Sequence, residues 1–171
     1  MTRRLRLVAL ILPFLVPLSA AAEVKIAAAC RVKNRPPGRC GWCAVETLAR
    51  HLHIKKLHGI TRANATRTNI EDLEETVVEA GVAYRIQRPG SFGTTILSDA
   101  VNEGLGAAVG FRELRPGAGG HIVTLIDFSD EEVRVIDPND RDGRTRTMSR
   151  DRFLYWWDGF ALVLERDKAA E

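Results

Sequence analysis

The stretch Gly120-His121-Ile122-Val123-Thr124-Leu125-Ile126-Asp127-Phe128, Ser129-Asp130-Glu131, Glu132-Val133-Arg134-Val135-Ile136-Asp137-Pro138 decides how this chain folds. Two runs rich in β-branched residues flank a short polar turn, which is the pattern of a β-hairpin. His121 and Asp137 each stand eight residues from Ser129, so a hairpin folded about that turn sets them opposite or nearly opposite each other. Directly paired antiparallel residues have Cβ atoms about 5 Å apart. An imidazole beside a carboxylate is oriented by it and kept protonated.

Upstream lies the group that such a pair serves. From Gly41 to about His53 the apolar residues Trp42, Val45, Leu48, Ala49 and Leu52 recur at helical spacing, with Glu46 and Arg50 polar between them. The loop Asn34-Arg35-Pro36-Pro37-Gly38-Arg39 precedes this helix and sets Cys40 just before it, with Cys43 in its first turn. Free N–H groups at a helix start and a neighbouring imidazolium both stabilise a thiolate. The cysteine N–H and one side-chain amide make an oxyanion hole, and Asn34 is the amide across the loop. Cys40, His121, Asp137 and Asn34 thus form a candidate nucleophilic site. Its chemistry calls for neither a metal nor an organic cofactor.

The remaining elements define the class. Val24 to Val32 reads as an N-terminal strand, and 53–68 as irregular. Asn69 caps a helix with Glu71 and Asp72 in its first turn, Leu73 and Val77 inward, and Gly81 at its end. Val82 to Gln87 is a strand, Thr94 or Thr95 starts a helix through Val101, and Gly106 to Phe111 is a short strand. After the hairpin, Pro138 to Thr147 reads as a polar loop. Ser149 then caps a short helix containing Phe153, Leu154, Trp156 and Trp157, and Phe160 to Leu164 is the last strand. Helices first and strands later argue an α+β domain.

Residues 1–22 read as a secretory signal peptide. Arg3, Arg4 and Arg6 begin it, Leu7 to Leu18 is its apolar run, and Ala20-Ala21-Ala22 its cleavage site. The apolar run, broken by Pro13 and Pro17, is short of the roughly 20 residues of a membrane span. The expectation is an exported domain over 23–171, periplasmic or extracellular, with no transmembrane span once the signal is removed. Loss of the three leader arginines leaves 22 basic residues against 22 acidic ones, so no basic field points to nucleic acid. Cys30, Cys40 and Cys43 are an odd set, which fits one reactive thiol and one structural pair. His51, His53 and His58 match no familiar zinc spacing. In the stretch from Asp137 to Met148, Arg141 and Met148 fall where a calcium loop needs oxygen ligands.

Cys40-Gly41 opening a helix, His121 at a strand start and Asp137-Pro138 sixteen residues later resemble the double-glycine (bacteriocin-processing) peptidase family, within the papain-like cysteine peptidases. The resemblance runs from about Asn34 to Leu164. It implies a papain-like α+β fold, with N-terminal helices packed on a C-terminal antiparallel sheet. It also implies hydrolysis of a peptide or protein substrate, with Cys40 as nucleophile, His121 as its partner and Asp137 orienting His121. The family's glutamine, about six residues before the cysteine, is Asn34 here. The transporter domains that often accompany such peptidases are not in this chain, so the expectation is a free-standing exported relative.

Aligning papain's own Cys-Gly-x-Cys selects Cys43 instead and puts Pro37, which has no amide to donate, at the glutamine position. Cys40 is therefore favoured, and Cys30 and Cys43 are free to pair. The alternatives are a thiol–disulfide oxidoreductase using Cys40-Gly41-Trp42-Cys43 and a peptide-binding relative without catalysis.

Overall fold

A computed structural model describes residues 23–35, 37–64, 67–112, 120–140 and 144–166. The expected leader and most of the glycine-rich segment before His121 lie outside the described residues. Helix α1 (Cys40–His51) follows the predicted periodicity, with Trp42, Val45, Leu48 and Ala49 buried. Glu46, placed by the pattern on a polar face, is only 1 % exposed. Its carboxylate is satisfied on both oxygens: Arg50 pairs with Oε1 at 2.5 Å, and the Thr61 N–H donates to Oε2 at 3.0 Å. The latter bond ties α1 to a short helix, α2 (Ile60–Ala63), in a segment whose sequence predicts no regular structure.

Helix α3 (Ile70–Glu79) starts where Asn69 Oδ1 accepts the Asp72 N–H at 2.6 Å, and it turns Leu73 and Val77 inward. Strand β1 (Tyr84–Gln87), helix α4 (Thr95–Asn102) and strand β2 (Ala107–Phe111) follow. The predicted hairpin is β3 (His121–Phe128) and β4 (Glu132–Ile136), closed by Ser129, whose N–H and hydroxyl both donate to the Glu132 carbonyl. Strand β5 (Thr145–Ser149), helix α5 (Arg150–Trp156) and strand β6 (Trp157–Leu164) complete the order. Ser149 caps α5 by accepting the Arg152 N–H at 3.3 Å.

The six strands form one antiparallel sheet in the order β1-β6-β2-β3-β4-β5. Helices α1 and α4 pack against its middle strands, and one apolar core joins Trp42, Leu48, Leu97, Val109, Leu125 and Phe160. This is the expected α+β architecture of helices on an antiparallel sheet. Among the described residues no helix is long and apolar enough to cross a membrane.

Four details differ from the sequence reading. The segment 24–32 is not a strand: the Val24 N–H donates to Ile126 O at 2.8 Å, but the chain then turns into a 3-10 helix at Ala28–Cys30. Val24 and Ile26 are buried, which gave the segment its strand-like alternation. The loop after Pro138 contains a real strand, β5. Trp157 belongs to β6, where it is fully buried, rather than to α5. Finally, a bulge between Leu125 and Asp127 shifts the hairpin register, so that Thr124 faces Ile136 while Asp127 faces Arg134. Continuing that register past β4 sets Asp137 across from Val123. His121 is therefore its diagonal neighbour on the same face, within reach of long side chains.

Gly41 marks the tightest helix–sheet contact. A Cβ there would lie 2.4 Å from Thr68 Cγ2 and 3.0 Å from both Ile122 Cδ1 and Leu73 Cδ1. Gly41→Ala is expected to destabilise the fold by about 1–3 kcal/mol, as overpacked cores do, read as a lower urea midpoint with an unchanged slope.

Candidate active site

Helix α1 begins at Cys40 itself, one residue earlier than the periodicity suggests. Arg39 occupies the cap position, and its carbonyl accepts the Cys43 N–H at 2.9 Å. The Cys40 N–H therefore belongs to the helix's unpaired first turn. Because Gly41 lets the helix end approach β3, the Ile122 N–H reaches Cys40 Sγ at 3.5 Å. The ring of His121, the residue before, acts on the same sulfur. Its Nε2 meets Asp137 Oδ1 at 2.8 Å. Cys40, His121, Asp137 and Asn34 all line one cleft of about 570 Å³. The structure thus brings together all four residues singled out in the sequence.

The electrostatics follow from this geometry. Burial disfavours a charged Cys40, but the His121 hydrogen bond, the Ile122 N–H and the imidazolium charge outweigh it and hold the thiol below its ordinary range. Burial also works against a charged His121, yet Asp137 and Cys40 lift it to about 9. Asp137 is held below the usual carboxylate range: its own burial is overcome by His121, the Asn139 N–H and Arg146. The arrangement favours a thiolate facing an imidazolium. Cys43 behaves oppositely: it is fully buried, and desolvation pushes its thiol up to about 12. Cys30, Cys40 and Cys43 are all free thiols, so the expected Cys30–Cys43 pair does not form here. Cys43 instead is buried within the first turn of α1, on the side facing Thr61.

Asn34 is 8 % exposed, and its backbone N–H and both polar atoms of its side chain are hydrogen-bonded. Its N–H donates to Pro138 O at 2.9 Å, its Oδ1 accepts the Arg39 N–H at 2.9 Å, and its Nδ2 donates to Asn139 Oδ1 at 2.6 Å. It staples the loop before Cys40 to the turn after Asp137.

Two site residues were missed in the sequence. Asn139 donates its N–H to Asp137 Oδ1 at 2.8 Å and brings its amide nitrogen to 3.5 Å from His121 Nδ1. The Asp-Pro-Asn step is an Asx-type turn, which was a readable signal. Arg146 places Nη1 3.3 Å from Asp137 Oδ2, from a position on β5 opposite Val135. With β5 read as loop, no pairing could be assigned to it.

Solved structures with this architecture are peptidase domains. One is a double-glycine motif protease from an AMS/PCAT transporter in complex with the leader peptide. It is 12 % identical, with a TM-score of 0.62 over 85 % of this chain and 94 % of that one. Another is the peptidase domain of Streptococcus ComA, a bifunctional ABC transporter of a quorum-sensing pathway. It is 17 % identical, with a TM-score of 0.58 over 80 % of this chain and 97 % of that one. No protein-family model and no curated protein matches the sequence. The chain has a double-glycine peptidase-like, papain-like fold.

Cys40 is expected to alkylate at pH values below the ordinary thiol range, while Cys43 stays unreactive until the fold opens. His121→Ala should move the Cys40 profile upward; pH-dependent iodoacetamide labelling read by mass spectrometry checks both. The raised His121 pKa also predicts a stability contribution. It is fully present below the ordinary value of 6.5 and is lost as pH rises through about 9. The gap in urea midpoint between wild type and His121→Ala should shrink across that window.

Proposed function

We propose that this chain is an exported cysteine peptidase, with residues 1–22 as its export signal and 23–171 as its catalytic domain. The observation that carries the reading is the 2.8 Å contact between His121 Nε2 and Asp137 Oδ1, with Cys40 in the same cleft. A thiolate, an imidazolium and an orienting carboxylate are the parts that acyl transfer from an amide requires.

Cys40 Sγ attacks the scissile carbonyl carbon, and the carbonyl π electrons move onto oxygen. The Cys40 N–H and the second amide proton of Asn34 stabilise that oxyanion. Collapse of the intermediate breaks the C–N bond as the His121 imidazolium passes its proton to the leaving amine. Water, deprotonated by the now neutral His121, then hydrolyses the thioester and releases the thiolate. Asp137 holds the imidazole throughout and remains ionised. The substrate is a peptide or protein; the transporter protease of the same fold, solved in complex with the leader peptide, supports a peptide substrate.

The redox alternative has less behind it. Cys43 is buried and its thiol is pushed up to about 12, and a dithiol mechanism leaves His121 and Asp137 without a role.

Purified 23–171 incubated with a diverse peptide pool should generate new termini detected by mass spectrometry. Cys40→Ala and His121→Ala should lower that rate by about 10³-fold or more. Cys43→Ala should keep activity. Asn34→Ala should cost about 10²-fold, mainly in kcat, as loss of one oxyanion donor does. A pool left uncut by wild type and Cys40→Ala alike overturns the proposal.

A further inference from the structure

The pairing of β2 with β6 is broken beside the site. Val109 faces Ala161 and Phe111 faces Trp157, so Gly110 alone stands opposite Asp158, Gly159 and Phe160. Such bulges re-aim a side chain and recur next to active sites. Gly159 takes a φ of +97°, and a Cβ there would lie 2.4 Å from Ser91 O, so the bulge needs glycine at that position.

The side chain re-aimed is that of Asp158. Its two oxygens lie over Gly110, each 2.6 Å from where a Cβ would stand, so only glycine at 110 leaves the carboxylate its place. Oδ1 accepts the Phe160 N–H at 2.7 Å. Among the described residues, the other donor acting on the carboxylate is Asp158's own N–H and no cation lies within ion-pair distance, although Arg112 acts on the group through space. Cys40, His121, Thr68, Ile70, Gly110 and Asp158 line a pocket of about 120 Å³. The nucleophile and a half-buried carboxylate without a cation partner among the described residues therefore share one pocket. Desolvation holds Asp158 above the usual carboxylate range, a cost that an incoming cation relieves.

We infer that Asp158 is a specificity residue that selects peptides carrying a lysine or arginine side chain close to the bond attacked by Cys40. This rests on the peptidase reading. The cationic side chain enters between Ile70 and Gly110, and its charged end pairs with the Asp158 carboxylate. The core site remains Cys40, His121 and Asp137; Asp158 touches only the substrate's side chain.

Two readouts separate this inference from peptidase activity itself. The first is alkylation of Cys40 by N-acetylated tripeptide chloromethyl ketones with lysine or norleucine at each residue in turn, followed as the Cys40 adduct by mass spectrometry. The second is cleavage of internally quenched peptides with the same exchange at two positions on either side of the bond. Wild type should favour lysine by about tenfold at one position, the size of one charge-assisted hydrogen bond. Asp158→Asn should bring that ratio near one and leave the norleucine rate unchanged. Asparagine keeps an oxygen for the Phe160 N–H, and Asp158→Ser, with its melting temperature measured alongside, repeats the test.

Equal rates for lysine and norleucine at every position overturn the inference, as does a lysine preference that survives in Asp158→Asn. In that case the carboxylate serves only to hold the bulge. If alkylation shows the Asp158-dependent preference while no peptide is cut, recognition stands and the peptidase reading falls. Cleavage without any charge preference gives the reverse.

Discussion

Everything at this site depends on how closely the first turn of α1 approaches the start of β3. The side chains of Thr68, Ile122 and Leu73 close around Gly41 and leave no room for a side chain there. That approach puts Cys40 Sγ against the Ile122 N–H and beside the His121 ring. A helix start offers unpaired N–H groups, and a strand start offers a side chain that leans out of the sheet. Neither element makes a nucleophile alone. Their contact does, and the residue that permits it contributes no side chain at all.

From that contact a line of alternating charge runs outward: thiolate, imidazolium, the Asp137 carboxylate and the Arg146 guanidinium. Opposite charges along the row favour the ionised forms of Cys40, His121 and Asp137, so burial, which alone disfavours those three charges, is overcome. Asn139 braces the line from the side by donating its N–H to the Asp137 carboxylate, and Asn34 in turn donates to Asn139. Asn34 thus has a structural task besides any catalytic one, because it joins the loop before the cysteine to the turn after the carboxylate.

Most of this could be read from local pattern. The hairpin, α1, α3 with its Asn69 cap, α4 and the Ser149 cap all follow from periodicity and capping within a dozen residues. What stayed hidden depends on partners far away in the chain. The edge strand β5 is largely polar, and Thr145-Arg146-Thr147 reads as loop until β4 is known to lie beside it. The bulge at Ile126 turns its carbonyl to Val24, a contact about a hundred residues apart that no window contains. Asp158 falls between the aromatic helix and the last strand, where local pattern gives it no role; the mismatch of β2 and β6 turns it toward the pocket that Cys40 and His121 also line. His121 and Asp137 were found as a pair even though they are diagonal rather than opposite, because the side chains span the offset.

The strand order carries a consequence for synthesis and folding. β6, the last strand of the domain, lies between β1 and β2 and hydrogen-bonds both. Until residues 157–164 arrive, β1 has no neighbour and β2 has a bare edge, so the sheet cannot close as the chain emerges from the ribosome. Long-range pairing of this kind is slow to form. The sheet therefore stays incomplete until its last described strand has been made, and a chain caught before that point exposes two unpaired strand edges.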